Sequence, residues 1–226
     1  MATGTLFGVS VGPGDPELLT LKAVRVIRQC AVIAVPQTPG GNTLALDIVS
    51  SAVDLKGKKI LYLEHAMAKE TGVLQAQYQR NGQQLKAQLL QGKDVALLNL
   101  GDISIYSTCS YLLEMLGREG FTCKWIPGVT SFCACAAESG YSLVQWDQPL
   151  SIFPGSYSNP EAALDRAGCK VLMKSGSSLP VIQKEIIEKG LAEKCVVVSD
   201  CGLPGQKIGK ITDEFQSYFT TIIIRD

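Results

Sequence analysis

Short apolar runs alternate with amphipathic segments along the first 126 residues of the chain. The runs are typical of strands buried on both faces of a parallel sheet, and the segments between them carry apolar residues at helical spacing. Regular alternation of this kind predicts an α/β fold with a doubly wound parallel sheet of five strands. The predicted strands cover residues 5–11, 31–36, 59–63, 95–100 and 122–126. The predicted helices follow Asp15 and cover residues 44–53, 73–91 and 109–120.

The pattern changes after the break at Pro127-Gly128. Short strands then outnumber helices, and Gly202, Gly205 and Gly209 lie too close together to hold a helix. We therefore predict antiparallel pairing of the last strands, a mixed second sheet, and two α/β domains covering residues 1–126 and 127–226. The predicted strands cover residues 150–153, 170–173, 195–199, 206–211 and 219–224, and the predicted helices 132–138, 160–167 and 180–189.

Two predicted strands end in similar turns that contain a glycine followed by an aspartate. Gly14-Asp15-Pro16 follows the first strand, where Asp15 suits a helix N-cap and Pro16 the first helical residue. Leu18, Leu21, Val24 and Ile27 then recur at helical spacing. Gly101-Asp102 follows the fourth strand. Because open α/β sheets bind ligands at the carboxyl ends of their strands, the turns predict a ligand site. The alternative is that they only pack helices against the sheet.

Two nucleotide-binding motifs are excluded. Gly8, Gly12 and Gly14 do not have the spacing of a dinucleotide fingerprint, and the acidic ribose partner expected about 20 residues later is missing. Gly57-Lys58 is followed by lysine, where a phosphate-binding P-loop needs serine or threonine.

The charge balance and hydropathy exclude further classes. The 226 residues include 21 basic and 21 acidic side chains, so the basic face that nucleic acid selects is not apparent. No apolar run reaches the roughly 18 residues of a membrane span. Residues 1–12 do not resemble a signal peptide, so we expect a cytoplasmic protein that does not bind membranes.

The eight cysteines are expected to be reduced and mostly buried. No CxxC pair occurs, and Cys133 and Cys135, two residues apart, would face different sides of a helix. We therefore predict no metal site.

Three motifs together resemble those of the tetrapyrrole (corrin/porphyrin) methylases. They are residues 8–20 (GVSVGPGDPELLT), residues 101–108 (GDISIYST) and residues 126–132 (IPGVTSF), in family order and spacing over the whole chain. The resemblance implies an S-adenosylmethionine-dependent methyltransferase with two α/β domains, the cofactor in an active-site cleft between them, and a homodimer. Rival interpretations are a diphthine synthase, a ribosomal RNA ribose methyltransferase, or a cofactor-binding module without turnover.

Within this family the chain most resembles the branch that methylates the C(20) meso carbon of precorrin-2 in cobalamin biosynthesis. Residues 16–22, 106–108, 172–174 and 218–224 carry that likeness. Two departures concern the turn and the expected substrate lip. Ile103 stands where the family has proline after Gly-Asp, and residues 64–67 differ from the family's segment.

The resemblance assigns cofactor contacts position by position. They fall on Pro13, Leu100, Gly101, Asp102, Ile105, Thr130, Ser131 and Met173, with a weaker match near Gly202. Backbone amides at strand ends would hold the methionine part of the cofactor and its ribose, and Ile105 and Met173 would enclose adenine.

Two residues are candidates for catalysis. Asp102 is either the proton acceptor for the meso hydrogen or a carboxylate that positions the turn and cofactor. Tyr106 is either a wall or hydrogen-bond donor for the macrocycle, or an ordinary aromatic residue at a helix start. His65 is expected to be solvated or hydrogen-bonded rather than catalytic. The cations available for the substrate's carboxylates include Lys22, Arg25, Lys69, Lys174 and Lys207.

Overall fold

The computed structural model describes residues 2–65, 71–156 and 159–225. It divides into two compact units, Met1–Thr130 and Ser131–Asp226. The Gly128 amide, which donates a hydrogen bond to Asp102, lies within the first of these units.

The first unit contains a parallel five-stranded sheet with helices between successive strands. Its strands are β1 (Leu6–Ser10), β2 (Val32–Gln37), β3 (Lys59–Glu64), β4 (Val95–Asn99) and β5 (Cys123–Ile126). Its helices are α1 (Leu21–Gln29), α2 (Leu44–Ala52), α3 (Thr71–Leu89) and α4 (Thr108–Arg118). The strand order is β3-β2-β4-β1-β5, and every pairing is parallel, which confirms the predicted doubly wound sheet.

The helices cover both faces of this sheet. Buried residues of α1 and α2, such as Ile27 and Val49, share one apolar cluster with Val35. Buried residues of α3 and α4, such as Leu85 and Leu113, form a second cluster on the other face. Each fully buried aliphatic side chain of this kind stabilises the fold by about 1.5–3 kcal/mol. The connections after the neighbouring strands β1 and β4 therefore leave to opposite faces, which makes their carboxyl ends the topological switch point.

The helix after β1 begins later than the sequence predicts. Asp15 Oδ1 accepts a 2.8 Å hydrogen bond from Glu17 N, as expected of an N-cap, but it starts only one 3₁₀ turn, Pro16–Leu18. Thr20 is extended and caps a separate helix α1, with its hydroxyl accepting a 3.1 Å bond from Ala23 N. The two caps divide the predicted helix in two.

The second unit contains a mixed five-stranded sheet. Its strands are β6 (Leu150–Pro154), β7 (Cys169–Met173), β8 (Cys195–Ser199), β9 (Lys207–Gly209) and β10 (Thr220–Ile224). Its helices are α5 (Ser131–Glu138), α6 (Pro160–Leu164) and α7 (Leu179–Glu188). The order is β6-β7-β10-β8-β9; β6 and β7 are parallel, and the other pairings are antiparallel. The predicted antiparallel pairing of the last strands is confirmed.

All eight cysteines are free thiols, and most are buried. Within the described ranges, no helix combines the length and apolar character needed to cross a membrane.

Candidate functional site

The turns after β1 and β4 meet at the switch point. Gly101 N donates a 2.7 Å hydrogen bond to Gly12 O, and the two glycines form an isolated bridge. Their φ angles are +77° at Gly12 and +72° at Gly101, a region that glycine enters without the strain of a side chain. This backbone hydrogen bond therefore joins the two glycine-containing turns that the sequence predicts.

The backbone of this turn is open on one side. A Cβ atom placed on Gly101 would meet no atom within 4 Å, whereas one on Gly12 would lie 3.4 Å from Leu18. A ligand can therefore approach the chain closely at Gly101, while Gly12 lies against the 3₁₀ turn.

The carboxylate of Asp102 joins three parts of the first unit. Its Oδ1 atom accepts bonds from the amide and hydroxyl of Ser104, at 2.8 and 2.5 Å, and its Oδ2 atom accepts a 2.7 Å bond from Gly128 N. Burial alone would raise the pKa of Asp102, but these bonds and one from Ser10 outweigh it and hold the pKa below its usual value. The carboxylate therefore stays ionised near neutral pH, with both of its oxygen atoms accepting hydrogen bonds.

Ser10, at the end of β1, also forms a hydrogen bond with the turn after β4. Its side chain is fully buried, and its Oγ atom accepts a 2.9 Å bond from Ile103 N. A proline at position 103 has no N–H to donate, so the isoleucine found here adds a bond that the family's usual residue would lack. The Ile103 side chain fills the space above Gly8, where a Cβ would lie only 2.4 Å from Ile103 Cδ1.

Gly128 fits because it has no side chain. A Cβ at this position would lie 2.5 Å from Ser10 Cβ and 3.3 Å from Gly101 O. Only glycine brings the segment after β5 close enough for its amide to reach Asp102.

The start of α4 is fixed to the end of β4. Ser107 Oγ donates a 2.6 Å bond to Asn99 Oδ1 and accepts a 3.1 Å bond from Cys109 N. Tyr106, just before it, has a φ of +47° and is 43% exposed. Burial raises the pKa of the Tyr106 phenol, so it stays protonated and can donate a hydrogen bond near neutral pH.

Thr130 supplies an unused polar atom. Its Oγ1 is buried and has no hydrogen-bond partner among the described residues. A buried hydroxyl without a partner is unfavourable, and a ligand that forms a hydrogen bond with it would remove that cost.

The predicted site residues are divided between the two units. Those in the first unit are Pro13, Leu100, Gly101, Asp102, Ile105, Tyr106 and Thr130. Pro13 directly follows the bridged Gly12, and Ile105 N donates a 3.3 Å bond to Asp102 O. Ser131 and Met173 belong to the second unit.

Sequence reasoning missed Ser10, Ser104 and Gly128 as partners of Asp102. A hydroxyl at the end of an otherwise apolar strand was the available signal for Ser10, and the Asp-x-Ser spacing of a local turn was the signal for Ser104. Nothing in the sequence indicates that Gly128 lies beside Asp102.

Met173, a cofactor contact predicted for the second unit, lies at the carboxyl end of β7. Met173 is buried, and its carbonyl accepts a 2.6 Å bond from Gly155 N. Lys174 follows with a φ of +57°, and its carbonyl accepts a 2.5 Å bond from Ser156 Oγ. Burial lowers the pKa of the Lys174 ammonium.

Known proteins resemble the chain over most of its length. It is 30% identical to the cobalt-precorrin-2 C(20)-methyltransferase of Salmonella typhimurium, over 98% of this chain and 96% of the relative. It is 33% identical to the cobalamin biosynthesis protein CobIJ of Mycobacterium tuberculosis, with 92% of this chain matching 42% of that longer protein. The chain therefore spans less than half the length of CobIJ.

A solved structure shares the fold. The uroporphyrin-III C-methyl transferase from Thermus thermophilus, complexed with S-adenyl homocysteine, superposes with a TM-score of 0.71 at 20% identity, covering 97% of each chain. The family model for tetrapyrrole (corrin/porphyrin) methylases matches residues 5–213. Because this match covers more than half of the chain, the chain belongs to the tetrapyrrole (corrin/porphyrin) methylase family.

Proposed function

We propose that the chain is an S-adenosylmethionine-dependent methyltransferase that methylates the C(20) meso carbon of precorrin-2, or of its cobalt complex, in cobalamin biosynthesis. Family membership and the near full-length Salmonella relative support this activity. The bridged turns at Gly12 and Gly101 carry the structural argument, because they build an open backbone site at the switch point. When bound, the cofactor supplies a methyl group already activated by its sulfonium.

The residues of the first unit fit such a cofactor. The open side of Gly101 accepts a group that must approach the backbone, and the buried Thr130 Oγ1 offers a hydrogen bond. Pro13, Leu100 and Ile105 are the apolar contacts proposed for this unit, from the family resemblance. Ser131 and Met173 are the contacts proposed for the second unit, from the family resemblance.

The reaction depends mainly on how the substrate and the cofactor are aligned. The meso carbon of a reduced tetrapyrrole is enamine-like and nucleophilic, so methyl transfer needs the carbon, the methyl group and the sulfur in line. Positioning of this kind is worth up to about 7–11 kcal/mol in favourable cases. The hydrogen-bonded turn around Asp102 is suited to it because its backbone is held from three directions.

Asp102 acts as a positioning residue in this proposal. Its carboxylate accepts bonds from Ser104 and Gly128, and a lowered pKa makes it a weak base. The alternative role for this carboxylate is proton acceptor for the meso hydrogen. Tyr106 is exposed and stays protonated, so it serves as a hydrogen-bond donor to the macrocycle.

The acetate and propionate groups of the substrate require cations. Lys174 is the candidate whose backbone is held in an unusual conformation at a strand end, next to Met173. Lys207 is engaged already, with its Nζ donating to Glu214 O and lying 4.9 Å from the Phe215 ring centroid. Lys22 and Arg25 are exposed, while Lys69 and residues 66 and 67 of the expected substrate lip lie outside the described residues.

The family resemblance also suggests a homodimer that acts on a small molecule, and we propose further that the protein is cytoplasmic and binds neither nucleic acid nor membranes. Sedimentation equilibrium tests the dimer, with twice the mass of the 24.2 kDa chain as the expected result. A single-chain mass at micromolar concentration would contradict it.

Methyl transfer tests the proposed activity. The purified chain is incubated anaerobically with methyl-labelled S-adenosylmethionine and reduced precorrin-2, with and without cobalt. We expect one labelled methyl group in the tetrapyrrole. Tight binding of S-adenosylhomocysteine without product from either substrate would favour a cofactor-binding module. In parallel incubations with a diphthamide precursor or ribosomal RNA, transfer of the label to either would favour the rival enzymes.

A further inference from the structure

Helix α3 buries polar side chains along the first half of its inner face. Gln77 and Asn81 are 2% and 3% exposed, and they lie four positions apart, on one side of the helix. Leu85 and Leu89, further along, are fully buried in the apolar cluster that α3 shares with α4. The first half of α3 therefore presents polar groups to the interior, whereas the second half presents apolar ones.

A small cavity lies beside these polar side chains, within the first unit. Its walls include Pro36 near the end of β2, Leu63 near the end of β3, and Thr108 at the start of α4, together with Gln77 and Asn81. The space open to the centre of a water molecule is about 10 Å³. This volume is at the lower limit of what one buried water molecule needs, so the cavity has room for a single water.

The side-chain amide of Asn81 has one end with a hydrogen-bond partner and one end without. Its Nδ2 atom donates a 2.9 Å bond to the carbonyl of Glu64, the last residue of β3. The reversed amide would bring two acceptors face to face, so this bond fixes the orientation. Oδ1 is buried and receives no hydrogen bond from any described residue. Because a buried acceptor without a donor is unfavourable, Oδ1 requires a donor that the described residues do not supply.

The wall formed by the end of β3 is held in place by bonds of its own. The Glu64 carboxylate forms a 2.9 Å ion pair with Arg80, and the His65 amide donates a 2.8 Å bond to Gln37 O. These bonds connect the end of β3 to α3 on one side and to β2 on the other. A movement of this strand end that brought a donor to Asn81 would break them.

The chemistry of the lining favours water over other small ligands. Gln77, His65 and Thr108 add polar side chains to the same cavity, and a buried water makes about three hydrogen bonds. An anion would be repelled by the unpartnered acceptor of Asn81. A cation such as ammonium would need a countercharge, and Glu64, the one acidic residue among the described lining residues, already pairs with Arg80.

We propose that this cavity binds one internal water molecule, which donates a hydrogen bond to Asn81 Oδ1. The water completes the hydrogen bonding of the amide and links α3 to the end of β3. Residues 64 and 65 line the cavity and begin the segment predicted as the substrate lip, so the water lies beside the start of that segment. The site belongs to the first unit alone and does not depend on the proposed methyl transfer.

A high-resolution crystal structure of the full chain, from crystals grown without ammonium salts, tests this proposal. We expect density for one water about 2.5–3.0 Å from Asn81 Oδ1. In solution, NMR magnetisation transfer from water to the Asn81 side-chain amide protons should show the same molecule, with the sign of a long-lived contact rather than of proton exchange.

A pair of leucine variants separates the role of Oδ1 from that of buried polarity on α3. Asn81→Leu should remove the water, because leucine has a similar size and no acceptor. Gln88→Leu is the matched control and should keep the water. Gln88 is also buried on α3, but it accepts a 3.1 Å bond from Lys59 Nζ and lies outside the described lining of the cavity.

The wild-type structure decides even where a variant folds poorly. A cavity without density, a protein donor within hydrogen-bond distance of Asn81 Oδ1, or an ion in place of the water would overturn the proposal. So would a water that remains in Asn81→Leu, because Oδ1 would then not be the group that holds it. Absence of methyl transfer from a protein that contains the water would count against the proposed function alone.

Discussion

The amide of Gly128 donates a 2.7 Å hydrogen bond to Oδ2 of Asp102, joining the segment after β5 to the turn after β4. The same carboxylate binds Ser104 through its other oxygen. Thr130 lies two residues beyond Gly128, so this bond links the open turn at Gly101 to the segment that carries the unpartnered hydroxyl. The proposed cofactor site depends on it.

Asp102→Asn should reduce cofactor binding and turnover together. The amide replaces a charged acceptor with a group that also donates, so at least one bond to Ser104 or Gly128 is lost, at about 1–3 kcal/mol. Calorimetric binding of S-adenosylhomocysteine and steady-state kinetics measure the two effects.

A loss of turnover without a matching loss of cofactor affinity would contradict the positioning role of Asp102. If Asp102 is the proton acceptor, turnover falls by about 10²–10⁴ while the affinity is unchanged. Asp15→Asn is the matched control: asparagine caps a helix about as well as aspartate, so the single bond from Glu17 N is kept and affinity and turnover should both stay near those of the wild type.

The Asp102 carboxylate should make stability depend on pH in the acid range. Its pKa in the folded protein lies below its ordinary value of 3.8. The ionised group therefore stabilises the fold fully above that value, and its contribution is lost as pH falls through the lower, folded pKa. Urea unfolding of the wild type and Asp102→Asn should show a difference that is constant at neutral pH and shrinks below about pH 4. A difference that grows with acidity would contradict the assigned direction.

Gly128→Ala should destabilise the first unit. The added Cβ would lie 2.5 Å from Ser10 Cβ, so the segment must move away and lengthen the bond to Asp102. Overpacking of this kind costs about 1–3 kcal/mol, measurable by urea unfolding.

A second glycine gives the control for that variant. Gly117 lies within α4, and a Cβ there would meet no atom within 4 Å. Gly117→Ala should therefore be neutral or stabilising by up to about 1 kcal/mol. Equal losses from both variants would show that the contact with Ser10 is not the cause.

Thr130→Val should weaken cofactor binding without weakening the fold. The valine matches the shape of threonine but removes the unpartnered Oγ1, so unfolding of the ligand-free protein should be unchanged or slightly harder. Loss of one hydrogen bond, about 0.5–1.5 kcal/mol, should weaken S-adenosylhomocysteine binding about 2- to 12-fold. Thr130→Ser should keep most of the affinity. Unchanged binding in the valine variant would remove Thr130 from the site.

The parts of the site that follow local rules could be predicted from the sequence. Asp15 as a cap and the turn at Gly101-Asp102 both depend on neighbouring residues, and the structure contains both. Leu21 shows the limit of periodicity: it fits the helical spacing but is 90% exposed, because α1 starts there and buries Ala23, Val26 and Ile27 instead.

The contacts between distant segments could not be predicted in this way. Gly128 meets Asp102 because β5 pairs with β1 and β1 with β4, which brings three strand ends to one edge. No local pattern records that order of strands. The buried Ser10 is likewise explained only by the turn that packs above it.

The position of the transferred methyl group tests the central claim most directly. The chain is supplied with ¹³C-methyl S-adenosylmethionine and reduced precorrin-2 or its cobalt complex, and the product is examined by carbon NMR. We expect a single labelled methyl on C(20). A label on another carbon, or an unlabelled tetrapyrrole from a protein that binds S-adenosylhomocysteine, would contradict it.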